Sequence, residues 1–416
     1  MEYILVAFCV IILVFLVQVN FETGVAGRVL SVLLAAFAVR LAIHVLLIRN
    51  GGMWYGGDNL IYEIKAMEIV EEWRRQGFDF VVPGEGEIQK SVALPCNLFA
   101  IVIYLCGGKA PLACTALVAL VACALCIVIY RFARLLGADE RAAFLLLVLS
   151  AFTPAFLVHT SDMFKDGFSV FLVVACLGLS CSNMQRFDMR KLFMLVPFMW
   201  ALWHVRPYMV FMCMPPLLLS LLGSRRALSP RIMTVFAMAL VGTLYFFGDF
   251  AGIGVLETME DQLEYGQSDT VRRSISSQDS GVTFADDGNP WGALGSKLLY
   301  TLLSPFPWTE GSMMLQLGKI EAFIWYFLLY SAVRGARRMW CYDRRMLFVL
   351  LLFIVPGIVA YATTMGNIGL IFRQRMPILM VTSVLSAVAW TLHKGPEKKF
   401  SKARVRDTSE VPASPG

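Results

Sequence analysis

The sequence predicts an all-α integral membrane protein, and three observations carry that prediction. Of 416 residues, 58% are hydrophobic and 16% charged. Soluble domains carry roughly one-quarter charged residues, so no water-exposed globule could cover this much apolar surface. Apolar runs recur along the chain at close to the roughly 20 residues that a helix needs to cross a bilayer. Lys and Arg gather between those runs, alternately dense and sparse, as they do in cytoplasmic and external loops. The net charge of +6 therefore reports orientation. No basic tract carries the interleaved aromatics that grip nucleic acid, so nucleic acid is excluded as a partner.

The segments near 3–19, 29–48, 111–130, 142–158, 167–182, 232–248, 346–362 and 376–392 reach or approach spanning length. The first lacks a basic n-region and a small-residue cleavage site, so it is expected to remain as a membrane helix. The stretch 192–222 reads as two helices broken at Arg206-Pro207, and 320–333 as one span padded by Trp325 and Tyr330. The total is about eleven spans. Two shorter apolar runs, Val92 to Cys106 with its Pro95 and Asn97, and Ala293 to Phe306, read as re-entrant or interfacial. Cys9, Cys106, Cys114, Cys123, Cys126, Cys176 and Cys213 lie inside apolar runs without paired CxxC spacing, and read as small lipid-buried residues. The organisation is one transmembrane unit over 1–393 and a disordered cytoplasmic tail over 394–416, rich in Pro, Ser and charge.

Loop charge sets the sides. Arg131, Arg134 and Arg141; Arg186, Arg190 and Lys191; Arg225, Arg226 and Arg231; Arg334, Arg337, Arg338, Arg344 and Arg345; and the tail from Lys394 to Arg406 alternate with the spans as cytoplasmic segments should. They place the C-terminus inside and the N-terminus outside. The outer face then receives 49–110, 159–166, 249–319 and 363–375, of which the first and third are too long to be plain connections.

In the first outer loop, Tyr62, Ala66, Ile69, Val70 and Trp73 fall at helical spacing while Glu63, Lys65, Glu68, Glu71, Glu72 and Arg75 face away, which predicts an amphipathic helix on the membrane surface. Asp58 stands before its first turn, after Gly56 and Gly57. It has two readings, an N-cap and a carboxylate able to take a proton from a sugar hydroxyl. In SDMFKDG, Asp162, Lys165 and Asp166 crowd a membrane boundary, where ionisable groups are costly unless they serve a substrate or pair with one another. Arg206 in WHVRPYMV interrupts a long apolar run, so it either snorkels to water or meets an anion, which its guanidinium suits. Arg373 and Arg375 in GNIGLIFRQRMPIL fall on the outer side, against the orientation rule, and anionic lipid phosphate is the preferred reason. The second outer loop holds nine acidic residues from Asp249 to Asp287. A divalent cation could be held by such carboxylates, but DxDxDG spacing is absent and a solvated acidic face is the plainer reading; the cofactor stays open.

The segment GGDNLIYEIKA, followed by YRFARLLGADERAAFLLLVLSAFTPAFLVHTSDMFKDG, resembles the first outer loop and next stretch of GT-C-fold glycosyltransferases. These are multi-span enzymes that take sugars from polyprenyl phosphate carriers. The resemblance covers roughly the first 190 residues. It implies a GT-C-like bundle with two large outer loops, in which Asp58 is the catalytic carboxylate and Asp162 or Asp166 the second acidic group. It also implies a polyprenyl-phosphate-linked sugar donor and a glycan or lipid acceptor. Tyr62 and Lys165, together with Arg206, Arg373 and Arg375 from the boundary-charge reading above, are the binding residues expected around them. GLIFRQRMP and SPFPW are similar to segments of membrane proteins encoded with polysaccharide-assembly enzymes, with no role assigned to either segment; envelope polysaccharide-assembly proteins are the further partners expected. The expected setting is a bacterial cytoplasmic membrane. Two other readings stand beside it: a Wzy-like polymerase or ligase built on outer-loop arginines, and a transporter or lipid-glycan flippase, for which Arg40 and His44 are the mid-membrane candidates.

Overall fold

The computed structural model describes residues 1–50, 57–82, 91–222, 267–277, 281–285, 287–309 and 313–392. The span expected near 232–248, the acidic residues Asp249 to Glu264, Asp279 and Asp286, and the tail from 394 lie outside the described residues. Regular structure among the described residues is helical, apart from an isolated antiparallel bridge between Gly281 and Asn367.

The chain opens with α1 (Glu2–Asn20) and α2 (Thr23–Ile43), the latter running into a π-turn at His44–Ile48. The first outer segment supplies α3 (Asp58–Gln76) and α4 (Ala93–Cys106). After these come α5 (Pro111–Leu135), α6 (Glu140–Phe152), the short α7 (Pro154–Val158), α8 (Asp166–Gln185), α9 (Met189–Trp203) and α10 (Pro207–Leu222). The second half contributes α11 (Asp269–Ser276), α12 (Leu294–Leu303), α13 (Met313–Tyr342), α14 (Arg344–Thr363), α15 (Ile368–Gln374) and α16 (Met376–Trp390).

Among the described residues, five stretches are long and apolar enough to cross a bilayer: Glu2–Asn20, Thr23–Leu46, Pro111–Leu135, Asp166–Gln185 and Arg344–Thr363. The number of crossings read from hydropathy is larger, and prolines explain part of the difference. The segment 142–158 divides at Thr153-Pro154, because Pro lacks the N–H that would continue the helix and biases its predecessor away from helical geometry. The stretch 192–222 divides between Trp203 and Pro207. Helix α4 has 14 residues and α12 has 10, about 21 and 15 Å of rise, short of a hydrocarbon core of about 30 Å. Helix α3 buries Tyr62, Ala66, Ile69, Val70 and Trp73 against α4, as its spacing predicts; Glu63 departs from that pattern, being buried with the others.

Helices α5 and α8 form the packed centre, while α1 turns Tyr3, Phe8 and Phe15 outward as a lipid-facing edge. Helices α13 and α16 approach closely, since a Cβ at Gly335 would sit 1.9 Å from the Leu385 carbonyl oxygen. Such small-residue contacts, rather than water exclusion, hold membrane helices together. Ser386 Oγ donates to the Leu328 carbonyl across the same contact at 2.7 Å.

The bundle has two chemically distinct ends. At one, Arg131 donates to Asn20 (2.5 Å), the Tyr342 hydroxyl to the Leu136 carbonyl (2.8 Å), and Arg338 to the carbonyls of Val388, Ala389 and Thr391, closing the C-terminus of α16. At the other, Glu2 accepts from the first amides of α5, Leu112 at 2.6 Å and Ala113 at 3.1 Å. Two native thiols mark these ends, half-buried Cys106 at the last turn of α4 and exposed Cys341 at the last turn of α13; all ten cysteines are free. A membrane-impermeant maleimide added to intact cells is expected to label Cys106 and spare Cys341, with Cys341 reacting only in inverted vesicles. Labelling in the opposite sense would reverse the orientation inferred from loop charge.

Candidate active site

Four charged side chains from distant parts of the chain meet at the end of the bundle that carries α3. Asp58, Asp166 and Arg373 each sit at a helix terminus whose partial charge suits them. Asp58 is the first residue of α3, entered through Gly57, whose φ of +82° is a left-handed turn open to glycine. Gly57 occupies the capping position and Asp58 caps nothing, so of its two sequence readings the N-cap is corrected. Asp166 opens α8, and Arg373 lies in the last turn of α15. Asn367 caps α15 through the Leu370 amide (3.2 Å), and the Gly281–Asn367 bridge and the Val282 N–H on the Gly366 carbonyl (3.0 Å) brace it from the second outer segment. Arg206 stands at the break between α9 and α10.

Arg373 bridges both carboxylates, donating from Nη1 to Asp58 and from Nε to Asp166. Arg206 grips the other oxygen of Asp166 through Nη2 and gives Nη1 to the Tyr208 hydroxyl at 2.8 Å. The Tyr361 hydroxyl lies 3.5 Å beyond. The Phe164 ring lies 5.5 Å from the Arg373 guanidinium carbon. The side chains of Asp166 and Arg206 are 1% and 7% exposed, while that of Asp58 is 38% exposed, so the network runs from a dry floor to an open mouth. Tyr62 is buried beside this group, and burial holds its phenol above the ordinary value, so it stays protonated. Lys165 donates to Ser91, 3.0 Å to Oγ and 3.2 Å to the carbonyl. Burial, and then the Arg206 charge, push its ammonium down to about 7.

Asp162 belongs to a separate buried cluster. It accepts from Asn59 Nδ2 (2.7 Å) and the Met163 amide (2.8 Å), and faces His44 Nδ1 (3.4 Å) and Arg49 (3.6 Å). Arg49 also pairs with Glu63 at 3.1 Å. Burial works to raise the Asp162 carboxyl, but the His44 hydrogen bond and the Arg49 charge outweigh it and hold the group below its usual range. Since Asn59 follows Asp58, this second cluster fixes the start of α3 and so aims Asp58. The π-turn at His44–Ile48 is what presents His44 and Arg49 to it, a common use of π geometry.

Arg375 does not join Arg373. It is buried, donates to the Thr301 carbonyl at 3.0 Å, and lies in the field of Glu321. Arg40 is consumed within the bundle by Thr160 Oγ1 (2.8 Å) and the carbonyls of Ala36 (2.9 Å) and Ala151 (3.2 Å), so the charge on which a transport reading relied acts as a staple. Sequence reasoning missed Asn59, Arg49, Tyr208 and Tyr361. A boundary Arg and tyrosines inside apolar helices carry no signal of their own, whereas the Asp-Asn pair at 58–59 was visible. Among the described residues no group of three or more His, Cys, Asp or Glu side chains converges as a metal site would require.

No family model matches the sequence, and no curated protein matches it. Among solved structures, the chain is similar to the archaeal oligosaccharyltransferase AglB from Archaeoglobus fulgidus, determined in complex with an inhibitory peptide and a dolichol-phosphate. The TM-score is 0.56 at 14% identity, over 88% of this chain and 50% of AglB, so the chain spans half the length of that protein. At this identity the likeness is one of fold: the helical bundle is similar in architecture to that protein, itself of the GT-C fold that the first outer loop resembles.

Proposed function

We propose that the chain is a membrane glycosyltransferase that moves a sugar from a polyprenyl-linked donor to a glycan or lipid acceptor in envelope or exopolysaccharide assembly. One observation carries this reading: Asp58, Asp166, Arg206 and Arg373 converge from four separate segments at the end of the bundle opposite the basic turns. The fold likeness to a protein solved with a dolichol-phosphate supports it.

In this reading Asp58, at the open mouth, takes the proton from the acceptor hydroxyl as that oxygen bonds to the anomeric carbon. The bond from that carbon to the carrier phosphate breaks, and its electron pair leaves with the phosphate. Arg373 and Arg206 meet the charge that develops there, and Asp166 holds both guanidiniums in place. Tyr62 and Lys165 line the approach. Asp162 positions Asp58 through Asn59 and does not touch the substrate. The site end would face outward from a bacterial cytoplasmic membrane, with about eleven crossings and the C-terminus inside.

The test is transfer by purified protein in nanodiscs, using an isotope-labelled polyprenyl-phosphate sugar and a mixed glycan acceptor pool. Sugar is expected to leave the donor only when acceptor is present. Arg373→Gln should raise the donor KM by roughly tenfold or more, as loss of a charge-assisted phosphate contact implies, while Arg375→Gln leaves it near the parent value. Intact donor that has merely changed leaflets would make the protein a flippase. The two central arginines also favour a second reading, a polymerase or ligase that works mainly through Arg206 and Arg373 and tolerates loss of Asp58.

A further inference from the structure

The same guanidinium that would hold the donor phosphate is already occupied, and its two grips are unequal. The Asp166 grip lies on the dry floor, where Asp166 is 1% exposed; the Asp58 grip lies at the mouth, where the carboxylate is 38% exposed. Arg373 reaches its carboxylates through Nε and Nη1, which leaves Nη2 directed to neither. Deeper in, the Nε–H of buried Arg206 meets no acceptor, although buried donors are nearly always satisfied. The site thus has spare cationic donors and one partly exposed carboxylate that another anion can displace. A phosphate accepts from Arg in the same forked geometry as a carboxylate, so the single charge of a phosphodiester can take the place of that of Asp58 on the guanidinium.

We infer that Asp58 and the carrier phosphate compete for Arg373, so that donor binding draws the Nη edge of Arg373 off Asp58 and frees that carboxylate to accept a proton. This rests on the donor reading above. Arg373 then acts as an interlock. With no donor bound, Asp58 is masked by an ion pair; with donor bound, the base is released in the same movement that clamps the leaving group. Phe164 backs the guanidinium and Asp166 retains Nε, so the motion is a small pivot.

The experiment measures affinity for geranylgeranyl monophosphate and for inorganic phosphate, in nanodiscs, across a double-mutant cycle of Asp58→Asn and Arg373→Gln. Releasing an exposed ion pair is expected to tighten prenyl phosphate binding by roughly two- to fivefold in Asp58→Asn. The tightening should vanish when Arg373→Gln is added. Arg373→Lys serves as a second background, since it keeps a charge beside Asp166 but cannot span both carboxylates. Equal tightening with and without Arg373 would reduce Asp58 to general repulsion and overturn the interlock, as would no tightening at all; either leaves the donor site standing. A parent protein that binds inorganic phosphate as well as the prenyl ester would remove the lipid carrier. Binding of neither would remove the donor reading and the interlock together.

Discussion

Asp58→Asn is expected to give a folded protein whose transfer rate falls by about 10²- to 10⁴-fold, the usual loss when a general base is removed. The substitution is nearly isosteric, and Gly57, not Asp58, holds the capping position of α3, so the helix keeps its start. Its amide oxygen can still accept from Arg373. What disappears is the ionic part of the Arg373 contact, a favourable first-turn charge worth about 0.3–1 kcal/mol, and the ability to take a proton. Initial rates in the nanodisc assay, with a thermal melt as the control for folding, read the two effects separately. If the interlock also holds, KM falls while kcat collapses, a combination that simple loss of binding cannot produce. A near-parental rate in a well-folded Asp58→Asn protein would end its role as base and transfer preference to the arginine-centred polymerase.

Asp166→Ala carries the largest expected effect on stability. Its carboxylate alone neutralises Arg206, and with Asp58 it neutralises Arg373, at a position almost closed to solvent. Breaking a buried pair from one side typically costs about 3–5 kcal/mol, because the surviving charge remains buried without compensation. Here two guanidiniums are left facing each other. That is a large part of the roughly 5–15 kcal/mol by which folded domains are stable. A thermal melt in detergent should drop sharply or show no folded fraction. Asp166→Asn should be milder, since the amide oxygen accepts from one guanidinium. An unchanged melt for Asp166→Ala would mean that the network contributes little to the fold.

Much of this was legible in the sequence because a lipid-embedded chain advertises its exceptions. Asp58, Asp166, Arg206 and Arg373 drew attention as ionisable groups at the margins of apolar runs, and the structure brings those four together. Linear spacing could not decide which neighbours share a partner. Arg373 and Arg375 stand two residues apart, and residues at that spacing do not face each other on a helix, so one enters the network and the other turns to Thr301. Asp162 and Asp166 stand four apart, yet Asp162 lies in an irregular turn where the helical rule does not apply. Glu63 looked solvent-facing because its partner, Arg49, arrives from a π-turn that hydropathy cannot foresee.

The span of chain that closes the four-residue network has a consequence for how the protein is made. Asp58 meets Arg373 across a separation of 315 residues, and Asp166 meets it across 207. Contacts of such high order form late, and synthesis proceeds from the N-terminus at about 5–20 residues per second. For tens of seconds a nascent chain therefore holds Asp58 and Asp166 in the membrane without the cation that bridges them. A ribosome that stops before residue 373 leaves a membrane-inserted protein with an incomplete network and an under-compensated buried carboxylate, a form marked by its own instability. Addition of α15 is thus the event that closes the network.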